Sequence, residues 1–310
     1  MAKTLYNIYL SARPRQWLKN LSLFTGIVFT GWLFIPDKFL TTVYAILLFS
    51  ITASAVYIFN DILDVKADRL HPLKKKRPIA AGNLPIPVAV FVAIFGFTLA
   101  LFLSVNLSFF FFLLVLLYIA LHIIYTLYLK KTVILDVLAI ASGFVIRVYA
   151  GAVAVDAHIN VWLLLCVVSF SLFLAIGKRR SERTLLEAQT AGKHRQVLTR
   201  YPEKLLNIYT SMFANTTWLT YALFTFLQPP EMPEGRLLTI MADLPRTFIT
   251  QKWLMATIPV VIYGVMRYLQ LIYEKGEGDS PEKVLLSDKP LLTTVCLWGF
   301  MIILIIYGIG

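Results

Sequence analysis

A run of charged residues interrupts this otherwise apolar chain: NDILDVKADRLHPLKKKRP, residues 60–78. On a helix, Asn60, Asp64 and Asp68 fall at i, i+4 and i+8, and Asp61, Asp64 and Asp68 fall at i, i+3 and i+7. Both series therefore lie on one helical face. Stacked carboxylates repel each other, and their oxygens are hard ligands that suit Mg²⁺. The spacing favours divalent cations bound between these acids. We name Asn60, Asp61, Asp64 and Asp68 the acidic stripe.

A basic segment, Lys74 to Arg77, follows the acidic stripe. Pro72 cannot continue a helix, so His71-Pro72 ends it and the bases can fold back over the stripe to bind anionic oxygens. The alternative is a solvated helix end followed by a positively charged loop. The tight spacing and the leading Asn60 favour the functional interpretation.

The elements that carry this stripe belong to a membrane protein. The chain has 310 residues, of which 58% are hydrophobic and 15% charged, too few polar residues to cover a soluble domain of this length. Its net charge of +12 comes from bases in short loops, with no basic module that would bind nucleic acid. Cys166 and Cys296 lie in apolar runs and predict neither a disulfide framework nor a metal site. No cleavable signal is expected at the N-terminus.

Hydropathy predicts nine membrane-spanning helices in a single domain covering residues 1–310. The predicted spans lie near residues 19–35, 40–60, 86–105, 108–129, 133–155, 160–177, 205–227, 253–273 and 290–309. With the N-terminus in the cytoplasm, 24 of the 29 Lys and Arg residues fall on the inner side and four on the outer side. The positive-inside rule therefore predicts a cytoplasmic N-terminus and an outer C-terminus.

The stretch NDILDVKADRLHPLKKKRPIAAG resembles the first motif of the UbiA superfamily of intramembrane prenyltransferases, and RPRQWLKN (13–20) resembles its opening segment. The resemblance covers nearly the whole chain. It implies an all-α fold with nine helices around a central polar cavity. It also implies that Asn60, Asp61, Asp64 and Asp68 hold Mg²⁺ against the diphosphate of an activated donor, the three Asp residues being catalytic.

A second Asp-rich motif of that superfamily is depleted here. In YTLYLKKTVILDVLAIASGFVIRVYAGAVA (125–154), Asp136 is present, but residue 140 is Ile where prenyl-transferring members usually carry a second Asp. We expect fewer metal ions, or a donor bound more through bases such as Lys130, Lys131 and Arg147. A charge inside a span is costly and usually functional, so Arg147 is predicted to bind phosphate or a ribose oxygen. The alternative is an ion pair with another helix.

The segment SFSLFLAIGKRRSERTLL (169–186) indicates a branch of the superfamily. Gly177, Lys178, Arg179 and Glu182 resemble a signature of the decaprenylphosphate phosphoribosyltransferase branch. HRQVLTRY (194–201), YGVMRYLQLIY (263–273) and SPEKVLLSDKPLL (280–292) agree with it. Arg180 and the sequence AGAVA, where AGGVA is expected, depart from it, which bears on the identity of the lipid and sugar.

This resemblance implies transfer of 5-phosphoribosyl from phosphoribosyl diphosphate to a polyprenyl phosphate in the bilayer, with release of diphosphate. Such a donor needs a metal–carboxylate site and a basic site for its 5-phosphate, and the bases on the cytoplasmic edge suit phosphate. The expected ligands are Lys130, Lys178 and Arg179 for the 5-phosphate, and Lys19, Lys74 and Arg77 for the acceptor phosphate or leaving diphosphate. Tyr125 is a candidate donor to phosphate or an interfacial tyrosine, and Arg180 and Arg183 are expected to be topological anchors.

Two other functions remain open at this level. One is an aromatic prenyltransferase of the same superfamily that uses a polyprenyl diphosphate donor; Ile140 and the Gly-Lys-Arg segment speak against it. The other is a transporter or lipid-binding protein, against which speaks the position of the stripe at the membrane edge rather than its middle. The expected location is the inner cell membrane, and a homo-oligomer is left open. The resemblance to the superfamily branch implies a role in the synthesis of envelope polysaccharides.

Overall fold

The computed structural model of the protein describes residues 2–70, 74–188, 201–228, 252–274 and 281–309. Every regular element within those ranges is helical, which confirms the all-α fold. His71-Pro72, Ser280 and all but the last residue of HRQVLTRY lie outside the described residues. The chain divides into two compact units, and each is treated separately below. The prediction of one domain over residues 1–310 stays a prediction.

The first unit runs to His158 and carries seven α-helices. They are α1 (Ala2–Ala12), α2 (Phe24–Phe29), α3 (Pro36–Leu63), α4 (Val65–Leu70), α5 (Ile86–Ser104), α6 (Phe109–Leu127) and α7 (Leu135–Val155). Short 3₁₀-helices lie at Pro14–Leu23, Lys74–Lys76 and Leu129–Lys131. Local sequence explains two of the helix starts. Pro36 opens α3 with its φ already suited to a helix, and the hydroxyl of Ser108 accepts a hydrogen bond from the Phe111 amide at the start of α6.

The core of the first unit lies between α3, α6 and α7. Phe49 packs edge-on against Phe111 and Tyr118, with ring centroids 5.8 and 5.4 Å apart, and all three are fully buried. At Gly151, α7 lies so close to the 3₁₀-helix Pro14–Leu23 that a Cβ would collide with the backbone of Leu23. This close approach sets α7 against residues 14–29 and positions the polar groups on both elements.

The second unit begins at Ile159. Its elements are α8 (Val161–Ala188), α9 (Glu203–Leu227), a 3₁₀-helix (Trp253–Thr257), α10 (Ile258–Glu274), α11 (Pro281–Ser287), α12 (Lys289–Leu304) and a π-helical turn (Ile305–Ile309). Phe173 and Ile272 are fully buried in its core. Asp288 caps α12 by accepting a hydrogen bond from the Leu291 amide and pairs with Arg267 at 2.7 Å.

Seven of the helices described here are long and apolar enough to cross a membrane. They are Pro36–Leu63, Ile86–Ser104, Phe109–Leu127, Leu135–Val155, Val161–Thr184, Trp253–Glu274 and Lys289–Gly308. These match seven of the nine predicted spans to within a few residues at most ends, and the chain is a multi-pass membrane protein. The count of nine is not confirmed, and the orientation of the termini stays a prediction.

The first predicted span, residues 19–35, is not one helix. The 3₁₀-helix Pro14–Leu23 passes into α2, whose six residues cover only about 9 Å at 1.5 Å per residue. The chain then turns at Gly31, where φ is 76°. The seventh predicted span is a 25-residue helix, α9, but it is not among the seven apolar helices. Its Asn and Thr residues lower its hydropathy.

Candidate active site

The acidic stripe lies where α3 passes into α4. The long helix ends at Leu63, Asp64 occupies the position after it, and α4 starts at Val65. The predicted single helix is therefore interrupted, although the Asp68 amide still donates to the Asp64 carbonyl at 2.8 Å. Asp61 and Asp68 are buried, whereas 37% of the Asp64 side chain is exposed.

Arg77 joins two members of the stripe. Its Nη1 atom lies 3.0 Å from Oδ1 of Asp61 and 2.6 Å from Oδ2 of Asp68. The basic segment thus folds back over the acids, as the sequence predicts. Arg13 reaches the same oxygen of Asp61 from the N-terminal segment, with Nη2 2.5 Å from Oδ1. Its backbone is left-handed, with φ 53°, and its guanidinium lies over the ring of Tyr57.

The other two members of the stripe contact the segment around the end of α6. Lys130, in the 3₁₀-helix after α6, places Nζ 2.6 Å from Oδ1 of Asp64. Asn60 accepts a hydrogen bond from Thr126 on α6 through its side-chain oxygen. Three bases and one hydroxyl therefore hold the stripe, and they come from four separate parts of the first unit.

Arg147 forms a second polar group deeper in the first unit, only 4% exposed. Its Nε donates to Asn20 Oδ1 at 2.9 Å, Nη1 to the Gly143 carbonyl at 3.0 Å and Nη2 to the Tyr118 hydroxyl at 2.5 Å. The Tyr118 ring lies 4.8 Å from the guanidinium carbon. Among the described residues it contacts no carboxylate, so the predicted alternative of an interhelical ion pair is not what these contacts show. Its predicted substrate role is untested.

The remaining predicted residues of the first unit are dispersed. Lys19 donates to the side chain of Gln16 at 2.5 Å. Lys74 begins the 3₁₀-helix that leads to Arg77. Tyr125 is half-buried on α6, and Asp136 is fully buried in the first turn of α7.

The Gly-Lys-Arg segment lies in the second unit, where most of its bases serve the packing of that unit. Arg179 is fully buried and places Nη1 2.5 Å from Oε2 of Glu182. Lys178 is one-third exposed, and its Nζ lies 4.0 Å from the same carboxylate. Arg180 donates to Asn207 at 2.8 Å and to the Ile272 carbonyl at 3.0 Å. Arg180 thus joins α8 to α9 and α10 in addition to adding positive charge.

Five polar residues of these groups were not among the sequence candidates. They are Arg13, Asn20, Tyr118, Thr126 and His122, whose ring centroid lies 4.3 Å from that of Tyr118. Arg13 and Asn20 bound the segment RPRQWLKN, whose resemblance to the superfamily was a usable signal. The other three lie in the apolar run of α6, where nothing in the sequence sets them apart from the residues around them.

The sequence model of the UbiA prenyltransferase family matches residues 21–283. The chain belongs to this family. Decaprenyl-phosphate phosphoribosyltransferase of Corynebacterium glutamicum is 32% identical over 95% of this chain and 85% of the relative. The protein of the same name from Mycolicibacterium smegmatis is 32% identical over 93% and 88%.

Solved structures agree with this family's fold. A UbiA homolog from Archaeoglobus fulgidus bound to GPP and Mg²⁺ superposes with a TM-score of 0.67, covering 97% of this chain and 96% of its own, at 19% identity. The fold is thus shared with a UbiA homolog whose structure contains GPP and Mg²⁺.

The acidic stripe of this UbiA member fits such a metal by its donors. Its carboxylate and amide oxygens are the ligand types that Mg²⁺ prefers. Nη1 of the Arg77 guanidinium lies within 3.0 Å of Asp61 and Asp68 together, so these two carboxylates already share one cationic partner. In the part of the chain that the structure describes, however, no three His, Cys, Asp or Glu side chains converge as a metal site. The carboxylates are instead turned towards Arg13, Arg77 and Lys130.

Proposed function

We propose that this UbiA family member transfers the 5-phosphoribosyl group from phosphoribosyl diphosphate to a polyprenyl phosphate and releases diphosphate, with Mg²⁺ as cofactor. The enzyme is then a glycosyltransferase of the membrane. The names of the Corynebacterium and Mycolicibacterium relatives support the reaction, because both relatives match most of this chain at 32% identity.

The observation that carries the proposal is the pairing of acids and bases at the end of α3. Asp61, Asp64 and Asp68 lie in one short stretch, and each contacts a base. Asp61 contacts Arg13 and Arg77, Asp64 contacts Lys130, and Asp68 contacts Arg77. A metal diphosphate carries both kinds of charge. The carboxylates offer the metal ligands, and the bases offer the ligands for phosphate oxygens.

The residues of the stripe share one proposed role. Asp61, Asp64 and Asp68, with Asn60, would hold the metal. With Mg²⁺ held there, these residues would supply a Lewis acid and template that offsets the charge developing on the leaving diphosphate. Thr126 fixes the orientation of Asn60 through its hydrogen bond.

Bases around the stripe would hold the phosphates. Arg13, Arg77 and Lys130 already point at the carboxylates, so they lie beside any anion bound there. Lys19 and Lys74 remain proposed ligands for the diphosphate or the acceptor phosphate, and Tyr125 a proposed hydrogen-bond donor.

The 5-phosphate is assigned to Lys130, Lys178 and Arg179 as proposed ligands. Lys178 is the more available of the two residues on α8, because Arg179 is fully buried against Glu182. Asp136 and Arg147 are proposed to contact the substrates from α7. These assignments follow the chemistry of a donor with two separate anionic ends.

The chemistry asks mainly for positioning and electrostatics. The bond between ribose C1 and diphosphate breaks, and its electron pair leaves with the diphosphate. A phosphate oxygen of the polyprenyl phosphate forms the new bond to C1 from the opposite face. That phosphate is ionised at neutral pH, so no strong general base is needed.

Labelled phosphoribosyl diphosphate tests the reaction. Purified protein with Mg²⁺ and a polyprenyl phosphate is expected to form labelled lipid, and Asp64→Asn is expected to abolish it. Asp37→Asn is the matched control, because Asp37 is an exposed acid at the other end of the same helix. Product formed only from an allylic diphosphate and 4-hydroxybenzoate would establish the aromatic prenyltransferase instead.

The proposed orientation places the stripe at the cytoplasmic face of the inner membrane, with the N-terminus inside and the C-terminus outside. The distribution of 24 inner and four outer bases supports it. Single cysteines at Lys76 and Asp37, in a chain without Cys166 and Cys296, test it. An impermeant thiol reagent is expected to label Asp37→Cys, and not Lys76→Cys, in intact cells; the opposite pattern would reverse the topology.

A further inference from the structure

Gly143 on α7 faces two polar side chains of the first unit. A Cβ added at Gly143 would lie 3.4 Å from Nε2 of His122 and 3.8 Å from Nη1 of Arg147. One small atom can therefore contact both nitrogens in the space that glycine leaves. His122 Nε2 is buried without a hydrogen-bond partner among the described residues. A buried ring nitrogen left unbonded is costly, which points to a ligand.

Arg147 brings a buried positive charge to this space, and no carboxylate among the described residues contacts it. Its three hydrogen bonds go to Asn20, the Gly143 carbonyl and Tyr118, all neutral groups. A guanidinium carries five N–H donors, so two remain for a ligand. A buried cation within a membrane span is costly without an anion. The ligand that best satisfies both nitrogens is therefore an anionic oxygen rather than a hydroxyl.

The space lies next to the acidic stripe along α6. Thr126 Oγ1 lies within hydrogen-bond distance of Asn60 Oδ1 of the stripe and, on the same helix, of the His122 carbonyl one turn away. Four residues of helix correspond to about 6 Å. His122 therefore lies one helical turn along α6 from Thr126, the residue that contacts the stripe.

From this geometry we infer that His122, Gly143 and Arg147 form the subsite for the phosphate of the polyprenyl phosphate acceptor. The inference rests on the proposed function. In the proposed reaction, the acceptor oxygen must lie on the side of ribose C1 opposite the diphosphate, and the stripe holds the diphosphate. His122 Nε2–H and Arg147 Nη1–H each donate to one phosphate oxygen, and the absence of a side chain at Gly143 makes room for it.

Binding of two lipids to the whole protein tests this subsite. The dissociation constants of a short polyprenyl phosphate and of the matching polyprenol are measured in lipid nanodiscs without donor. His122→Phe keeps a ring but removes both nitrogens, and Gly143→Ala fills the space. Each is expected to weaken binding of the phosphate about 10- to 100-fold, as for loss of a hydrogen bond to a charged group. Binding of the polyprenol is expected to stay unchanged.

Two controls separate the subsite from a packing role. His122→Gln keeps a donor near the position of Nε2 and is expected to restore much of the preference for phosphate. Gly299→Ala adds a methyl group where nothing lies within 4 Å and is expected to change neither lipid. Equal losses for both lipids, or no loss for either, would overturn the inference.

Kinetics with both substrates complete the test. The variants are expected to raise KM for the polyprenyl phosphate and leave KM for phosphoribosyl diphosphate unchanged. A selective rise in KM for phosphoribosyl diphosphate would assign the space to the donor instead and refute the subsite. Wild-type protein that prefers the phosphate over the alcohol but transfers nothing would refute the proposed function alone.

Discussion

Arg77 is the base that joins two carboxylates of the acidic stripe, Asp61 and Asp68. Replacing Arg77 with Met is expected to destabilise the protein through Asp68 more than through Asp61. Asp68 contacts no other base among the described residues, whereas Asp61 keeps Arg13 at 2.5 Å. The variant therefore leaves a buried carboxylate uncompensated at residue 68 and a compensated one at residue 61.

The size of the effect follows from these contacts. A hydrogen bond to a charged group contributes about 1.5–3 kcal/mol. We expect a coupling energy of about that size between Arg77 and Asp68, and less than about 1 kcal/mol between Arg77 and Asp61. The guanidinium is 27% exposed, and screening by water moves both values towards their lower ends.

Two double-mutant cycles measure these couplings. Arg77→Met is combined with Asp68→Asn and, separately, with Asp61→Asn, and unfolding in mixed SDS and detergent is followed by loss of helical circular dichroism. Arg15→Met makes the same change at an exposed arginine and is expected to have little effect. Additive effects of Arg77→Met and Asp68→Asn, or a larger coupling with Asp61, would contradict the ion-pair arrangement described here.

Three further outcomes are expected. Gly151→Ala should lower the free energy of unfolding by about 1–3 kcal/mol, because its Cβ meets the backbone of Leu23; an effect no larger than that of Gly299→Ala would contradict this. Asp288→Ala should cost about 1 kcal/mol or more in the same assay, since the cap of α12 and the pair with Arg267 are both lost; unchanged stability would refute these contacts. Chelation of divalent metal should stop transfer to the lipid until Mg²⁺ is restored, and transfer in excess chelator would exclude the metal.

The helices that a run of apolar residues defines could be predicted from sequence to within a few residues at most ends. A segment of about 20 apolar residues in a bilayer must satisfy its backbone internally, which leaves the helix as the direct solution. Residues 19–35 do not follow this rule. It is apolar enough to suggest a span, but Pro14–Leu23 forms a 3₁₀-helix and α2 stops at Phe29.

The candidate site was predictable where its residues are close in sequence. The acidic stripe and Arg77 lie within 18 residues, so helical spacing indicated that they lie close together, although the helix is interrupted at Asp64. Arg13 reaches Asp61 across 48 residues, and Arg147 reaches Asn20 across 127. Such contacts depend on how the helices pack, and local sequence patterns do not predict this packing. Within α6, Tyr118 and His122 look like ordinary members of an apolar span until Gly143 and Arg147 lie opposite them.

The ion pairs of the stripe also determine which ligands can enter without penalty. In the resting protein, three carboxylates and three bases already cancel most of each other's charge. An anion arriving alone would draw the bases away and leave the acids repelling one another. A cation arriving alone would leave the bases unsatisfied. When the metal and the diphosphate bind together, the carboxylates gain the metal and the bases gain the diphosphate, with little change in net charge. We therefore expect metal and diphosphate to bind with positive cooperativity.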